Sequence, residues 1–314
     1  MGLSDVSGVF SRYFVIGFFL PSFFPLVLVG QLVDPASTPT VYSEASTGTQ
    51  LLILGGVALL IALLLSSLQY HLIRLLEGYP IQRLADLKGR DAVQTQLRQI
   101  PARMTAHWAA EFEARAQALN GPQSPARSRA ARELNKYFPW RVEAILPTRL
   151  GNAIRSFETH PNKRYGLDGV TAWPRIEALL SEGERETLTE VQTPFALFVN
   201  LTFLPAAFGV YVIVDLLVHP PNSFVVELAL LVATVAVVAG LTYAFYEAAV
   251  GAAVRWGTSV RAAFDLHRFE LYSKLGLKAP ATQAKEVEVA KAATRCMLYG
   301  EPLSDSLREV PAAP

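Results

Sequence analysis

Long apolar runs alternate with charged stretches along this chain. Four runs lack any charged residue, at 13–33, 50–70, 194–214 and 228–246. A helix needs about 20 apolar residues to cross about 30 Å of hydrocarbon, so each run predicts a membrane-spanning helix. Four such runs also argue against buried core helices, because a soluble core rarely needs helices that are apolar on every side.

The positive charges predict how the chain is threaded through the membrane. Of 28 Lys and Arg residues, one is Arg12, 18 lie within 71–193 and nine follow Gly251. The connecting segments 34–49 and 215–223 contain none. Because Lys and Arg near span ends stay in the cytoplasm, both connections are expected outside, and both termini inside. The first run is too long for a signal peptide and lacks a cleavage pattern, so we expect an uncleaved anchor.

The predicted fold class is all-α. We expect a four-helix transmembrane bundle with a helical cytoplasmic domain inserted between spans two and three, and a helical C-terminal tail. The first hairpin covers 1–70, with spans at 13–33 and 50–70, and the cytoplasmic domain covers 71–193. The second hairpin covers 194–250, and its spans are expected to extend beyond the charge-free runs, to 194–217 and 224–250. The tail covers 251–314.

Capping residues and helix breakers predict the helices outside the spans. We expect a long helix over 90–119 that is interrupted or bent at Pro101, and a second over 126–137. Thr148 and Asp168 are expected to cap two further helices, with His160-Pro161-Asn162 ending the first of them. Residues 181–184 have capping-box spacing and are expected to lead into the third span.

In the tail, a one-sided apolar row predicts a helix that packs on the cytoplasmic domain and ends at Gly276; its members are Val260, Phe264, His267, Leu271 and Leu275. A last helix is expected over 282–299, and disorder over 310–314.

Composition excludes several kinds of site. One cysteine, Cys296, excludes a disulfide scaffold and a cysteine-based zinc cluster. The five histidines provide no i,i+4 ligand pair, and a net charge of +1 argues against a nucleic-acid partner. No nucleophile elbow, dinucleotide fingerprint or Walker loop occurs, so we expect no enzyme activity, no cofactor and no metal.

Polar residues within or beside the spans are candidates for function, because such residues are costly in a membrane. Helical geometry places Asn200 and Asp215 on one side of the third span, and Glu227 shares a side of the fourth span with Thr234 and Thr242. Each of these two spans thus has a narrow row of polar side chains. The two rows would line a hydrated path if they faced each other. The alternative is that Asp215 and Glu227 mark the span ends, and that Glu247 is an interfacial cap.

Two groups of residues in the middle segment are also candidates. Arg149, Asn152, Arg155 and Glu158 follow one another at three-residue steps; they suit a phosphate or carboxylate ligand, or else form an intramolecular ion-pair face. Tyr165, Asp168 and Trp173 form either a small pocket or a buried structural junction.

Three short motifs carry a family resemblance. The segments Leu146-Pro147-Thr148-Arg149-Leu150-Gly151-Asn152, Arg164-Tyr165-Gly166-Leu167-Asp168 with Trp173-Pro174-Arg175, and Ala263-Phe264-Asp265-Leu266-His267-Arg268-Phe269 resemble a group of bacterial four-span membrane proteins. The resemblance covers about a third of the chain. It implies a location in a bacterial cytoplasmic membrane and a single architecture that includes both the spans and the cytoplasmic parts. It implies no activity.

Two functions are compatible with these patterns. The first is an adaptor, signalling or scaffold protein whose helical cytoplasmic domain binds a cytoplasmic protein. The second is an oligomeric channel or transporter with a polar path lined by spans three and four. Four spans alone are few for a transporter, so this alternative requires a homo-oligomer. In either case basic residues near the inner leaflet are expected to contact anionic lipids, and we name Arg74, Arg83, Arg255 and Arg261.

Overall fold

A computed structural model describes residues 11–32, 45–87, 92–218 and 223–308. Within these ranges the chain forms helices, short turns and one isolated β-bridge between Leu277 and Arg308. The helices are α1 (residues 12–32), α2 (Thr47–Leu76), α3 (Tyr79–Arg83), α4 (Ala92–Ala118), α5 (Pro125–Tyr137), α6 (Arg149–Glu158), α7 (His160–Tyr165), α8 (Gly169–Leu179), α9 (Glu182–Val218), α10 (Phe224–Lys274) and α11 (Gln283–Tyr299). The all-α prediction is confirmed for the part of the chain that the structure describes.

The chain divides into two compact units. Unit one comprises residues 1–73 and 192–252, and unit two comprises 74–191 and 253–314. Unit two contains 27 of the 28 Lys and Arg residues and 21 of the 27 Asp and Glu residues, a net charge of +6. The middle segment and the tail therefore belong to one charged unit.

Unit one contains apolar helical surface that no other described part of the chain covers. Three helices, α2, α9 and α10, are long and apolar enough to cross a membrane. The share of the most apolar stretch that is buried is 11% in α2, 28% in α9 and 0% in α10. Exposed apolar surface of this extent is unfavourable in water and is typical of helices that face lipid. The chain is therefore a membrane protein.

The first predicted span is also helical. Helix α1 consists of Arg12–Phe14, a π-helical turn at Val15–Phe19, and Leu20–Leu32. Its apolar part, Arg12–Val27, is shorter than the three long helices. The structure thus shows three helices of spanning length, and the fourth span stays a prediction.

A short polar contact stabilises the apolar interior of unit one. Pro21 has no N–H, so it cannot donate to the carbonyl of Gly17 four residues earlier. Asn200 is 1% exposed, and its Nδ2 donates to Gly17 O at 2.7 Å. A Cβ at Gly17 would lie 3.2 Å from Ala196 Cβ, which shows how closely α1 and α9 approach each other. A neighbouring helix therefore supplies the donor that the proline removes, as membrane helices commonly require.

Three helices that begin in unit two start at the predicted caps. Thr148 Oγ1 accepts from Gly151 N at 3.1 Å, and Asp168 Oδ1 accepts from Thr171 N at 2.8 Å. Ser181 N donates to Glu184 Oε2 at 2.8 Å, and Ser181 Oγ accepts weakly from Glu184 N at 3.4 Å. These contacts satisfy backbone donors that the first helical turn leaves free. The capping predictions are confirmed.

Two local predictions need correction. His160-Pro161-Asn162 does end α6, but it also begins α7, because proline is well tolerated in the first helical turn. Helix α4 is also continuous through Pro101, so the helix is not interrupted there. The predicted disordered residues 310–314 lie outside the described residues.

The tail supplies much of the core of unit two. Val260, Phe264 and Leu271 of α10 are at most 4% exposed, which confirms three members of the predicted buried face. The other two, His267 and Leu275, are partly buried. The helix ends where Gly276 adopts a positive φ of 71° and Leu277 N donates back to Tyr272 O at 2.9 Å. Glycine is favoured there because a side chain is strained at that φ.

Candidate functional site

The first motif, residues 146–152, closes a tight loop through its asparagine. Asn152 is 1% exposed, and its Oδ1 accepts from Leu146 N at 2.7 Å while its Nδ2 donates to Leu146 O at 3.0 Å. Pro147 O accepts from the indole nitrogen of Trp108 on α4 at 3.1 Å. The motif therefore uses its polar groups to fix its own backbone and to hold α4.

The same motif packs against the turn that follows α2. A Cβ at Gly151 would lie 2.5 Å from Glu77 O, and one at Gly78 would lie 2.8 Å from Thr148 Cγ2. Gly78 adopts a φ of 91°. Such close approach of the turn and the motif leaves no space for larger residues at these positions.

The basic candidates of α6 do not share one ligand-facing side with Asn152. Arg155 Nη2 donates to Tyr79 Oη at 2.7 Å, and its Nη1 lies 3.2 Å from Glu158 Oε2. The guanidinium of Arg149 lies 5.0 Å from the centre of the Tyr137 ring. These contacts favour the intramolecular ion-pair interpretation of Arg155 and Glu158.

The second and third motifs meet in space. Tyr165 Oη donates to Asp265 Oδ1 at 2.6 Å, and His160 Nε2 lies 3.1 Å from the same oxygen. Burial lowers the pKa of His160 more than Asp265 raises it, so the imidazole is neutral at pH 7 and donates through Nε2. Burial raises the pKa of Asp265, but the hydrogen bonds from Tyr165 and His160 outweigh burial and lower it. Asp265 is thus a carboxylate held by two donors.

A largely buried ion pair lies beside this contact. Arg268 Nε donates to Glu286 Oε1 at 2.7 Å, with side-chain exposures of 16% and 10%. The guanidinium of Arg268 also lies 4.2 Å from the centre of the Tyr165 ring. Asp168 N donates to Thr294 Oγ1 at 3.1 Å. Helices α7, α10 and α11 are therefore joined through the motif residues.

The structure does not bring Tyr165, Asp168 and Trp173 into one pocket. Trp173 packs on Phe264 with ring centres 5.9 Å apart, and it lines a small cavity of about 130 Å³. Tyr165 lines a different cavity, and Asp168 is occupied as a helix cap. The three residues form successive parts of a helix junction, which favours the second of the two interpretations.

An acidic cluster that the sequence did not reveal lies near the end of α2. Glu77 is 5% exposed, and its Oε2 is 3.9 Å from Arg74 Nη1, too far for a hydrogen bond. Burial, with Glu158 nearby, raises the pKa of Glu77 to about 7, although Arg74 and Arg155 oppose the increase. Burial also raises the pKa of Glu158. Glu77 therefore changes its charge near neutral pH.

We expect Glu77→Gln to make unit two less sensitive to pH. The pKa of Glu77 rises from 4.5 to about 7 on folding. The folded state therefore binds the proton more tightly, and the unfolding free energy falls as pH rises through this window. Above pH 7 the loss amounts to roughly 3 kcal/mol, since one pKa unit corresponds to about 1.4 kcal/mol. Glutamine carries no charge, so the variant should unfold at a higher temperature than wild type at pH 8.

The control for this experiment is Glu288→Gln, which removes an exposed carboxylate paired with Lys285 at 2.9 Å. An exposed pair contributes at most about 1 kcal/mol, and its loss should not change the pH profile between 4.5 and 8. Thermal unfolding of the full chain across that range makes the measurement. A wild-type midpoint that is independent of pH, or a Glu77→Gln profile parallel to wild type, would contradict the assignment.

The intramembrane candidates occupy separate positions in unit one. Asn200 is buried against α1, and its side chain donates a hydrogen bond to the Gly17 carbonyl of α1. Asp215 is exposed near the end of α9, and Glu227 lies in the first turn of α10. Glu247 is partly buried in α10, and both it and Asp215 have interaction partners. Asp215 and Glu227 thus lie at helix ends, as the span-end interpretation describes.

Within the described ranges, no group of three His, Cys, Asp or Glu side chains is suited to hold a metal ion. The residues that sequence reasoning missed are Glu77, His160, Asp265 and Glu286. The only signal for Glu77 was its position between a span end and Gly78-Tyr79-Pro80, which indicates a turn. The partners of Asp265 lie about 100 residues away in sequence, so no local pattern revealed them. No protein-family model matches this chain, and comparison with curated proteins and with solved structures gave no match.

Proposed function

We propose that this chain is a four-span protein of a bacterial cytoplasmic membrane, with both termini in the cytoplasm, and that unit two is an adaptor or scaffold that binds a cytoplasmic protein. The observation that carries the proposal is the separation of charge, since 27 of 28 Lys and Arg residues belong to unit two. Positive charge is retained on the cytoplasmic side of membranes. The net charge of +6 also favours anionic lipids of the inner leaflet as neighbours.

The use of the motif residues supports a binding module. Tyr165 and Trp173 contact α10, and the N–H of Asp168 donates to Thr294 of α11, so these residues join helices of unit two. Asn152 fixes its own loop. Meanwhile α4 packs against α3 and α5 and keeps a second face exposed, which includes Gln99, Arg103 and His107. A rigid helical unit with an exposed long helix is suited to docking a protein.

The topology predicts a clear labelling result in intact cells. In a Cys296→Ser background, a cysteine at position 43 should react with a membrane-impermeant thiol reagent. A cysteine at position 128, which is exposed in unit two, should react only after the cells are opened. Labelling of position 128 in intact cells, with position 43 protected, would overturn the proposed threading.

The adaptor role is tested by crosslinking in the same cells. We expect a photoreactive residue at position 99, 103 or 107 of α4 to give one crosslinked protein of constant mass. The matched control places the residue at position 60, where Leu60 is 69% exposed on the apolar part of α2. If no position on α4 gives a protein crosslink beyond that of the control, the adaptor role is wrong.

One observation favours the channel or transporter as a second candidate. Asn200 Oδ1 on α9 and Thr242 Oγ1 on α10 are buried without a hydrogen-bond donor among the described residues. Polar atoms of this kind are costly in an apolar environment unless water or another chain reaches them. Reconstituted protein should then conduct ions, with Thr242→Val reducing the flux. Absence of flux in wild type would exclude this candidate.

A further inference from the structure

A basic cavity of about 460 Å³ lies within unit two, between α7 and the tail part of α10. Three of its lining residues are cations, Lys163, Arg164 and Arg261, and Asp265 is its one carboxylate. The volume falls in the range of small-molecule sites. Charge alone therefore favours an anionic occupant.

Arg261 is held in position by neutral oxygen atoms. Its Nη1 donates to Asn135 O at 3.1 Å and to Ser156 Oγ at 3.3 Å, and its Nη2 lies 3.5 Å from Thr258 Oγ1. Burial lowers the pKa of Arg261, and Asp265 opposes this only partly. Within the described chain, no carboxylate lies within 4 Å of the guanidinium. An oriented and partly desolvated cation is ready to receive an anion, because the side chain loses little further freedom on binding.

The carboxylate of the cavity is already engaged. Asp265 Oδ1 accepts hydrogen bonds from both Tyr165 and His160. These donors stabilise its negative charge, so it competes less for the three cations. Lys163 and Arg164 are exposed, and Arg164 also contacts the Tyr165 hydroxyl. The cavity thus combines one fixed guanidinium with two exposed basic side chains.

We propose that this cavity binds a phosphate group through Arg261, Lys163 and Arg164. Guanidinium groups bind phosphate through two parallel hydrogen bonds, and lysine adds a point charge. The phosphate belongs either to a lipid headgroup or to a soluble compound, and both present the same oxygens. The site does not depend on the proposed adaptor role, because it requires no protein partner.

The test measures protection of a cysteine placed in the cavity. Ala262 lines the cavity and is exposed, so Ala262→Cys in a Cys296→Ser full-length chain reports on the occupant. The protein is placed in phosphatidylcholine nanodiscs and labelled with a neutral maleimide. One arm adds inorganic phosphate, with chloride at equal ionic strength as reference. The other arm replaces part of the lipid by phosphatidylglycerol without added phosphate.

We expect labelling to slow about tenfold when the ligand concentration is about ten times its Kd. Each rate is divided by that of Ser128→Cys, an exposed position outside the cavity, which removes general effects of surface charge. Protection in the first arm identifies a soluble phosphate, and protection in the second identifies a lipid headgroup. Either result supports the site only if Lys163→Gln with Arg164→Gln abolishes it.

The matched control is Arg175→Gln with Lys291→Gln, which removes the same charge from exposed positions away from the cavity. Protection should persist in this variant. The proposal is overturned if neither phosphate nor phosphatidylglycerol slows labelling. It is equally overturned if the slowing is the same in the cavity variant and in the control variant.

Discussion

Replacing Asn152 with alanine should lower the thermal midpoint of unit two by roughly 4–24 °C. The change leaves the buried N–H and C=O of Leu146 without partners. Each unsatisfied buried group costs about 1–3 kcal/mol, so the two together lower the unfolding free energy by roughly 2–6 kcal/mol. In a unit of this size, 1 kcal/mol corresponds to about 2–4 °C.

Tryptophan fluorescence makes the measurement specific for unit two, because all four tryptophans of the chain belong to it. The full-length protein is heated in detergent at one scan rate. The matched control is Asn162→Ala, an exposed asparagine in α7, for which we expect a change within about 0.5 kcal/mol. Equal midpoints for the two variants would show that Asn152 does not hold the loop.

Gly151→Ala is the second substitution expected to destabilise unit two strongly. The new methyl group would lie 2.5 Å from Glu77 O and 2.9 Å from Leu146 Cδ1. The carbonyl belongs to a backbone turn that is itself packed against Thr148, so it cannot move alone. Overpacking of this kind costs about 1–3 kcal/mol, while the higher helix propensity of alanine recovers at most about 1 kcal/mol.

A second glycine provides the control for this substitution. Gly183 lies in the first turn of α9, and a Cβ there would meet nothing within 4 Å. Gly183→Ala should therefore leave unit two unchanged or stabilise it by up to about 1 kcal/mol. The two variants should shift the fluorescence midpoint in opposite directions or by clearly different amounts. Parallel shifts would show that space at Gly151 is not limiting.

The sequence predicted the helices well because their causes are local. Apolar runs, capping residues and Gly276 all act within a few positions of the structure they determine. The exceptions have physical reasons as well. Pro161 begins a helix instead of only ending one, because a first-turn proline loses no intrahelical hydrogen bond.

The site was less predictable because its contacts join distant parts of the chain. His160, Tyr165 and Asp265 meet across 100 to 105 residues, and Glu77 comes close to Gly151 only after unit two has folded. For the motif residues, spacing alone did not tell a ligand contact from an internal one. Asn152 shows this most clearly, since both of its hydrogen bonds go to its own loop.

The contact between Gly17 and Asn200 has a consequence for how the protein is made. These residues are 183 positions apart, so the first helix leaves the ribosome long before its hydrogen-bond donor exists. At about 5–20 residues per second, the delay is roughly 10–40 s. During that time the Gly17 carbonyl must accept a hydrogen bond from water, from a lipid headgroup or from an insertion factor. Unit one therefore completes its assembly late in translation, when the segment around residue 200 arrives.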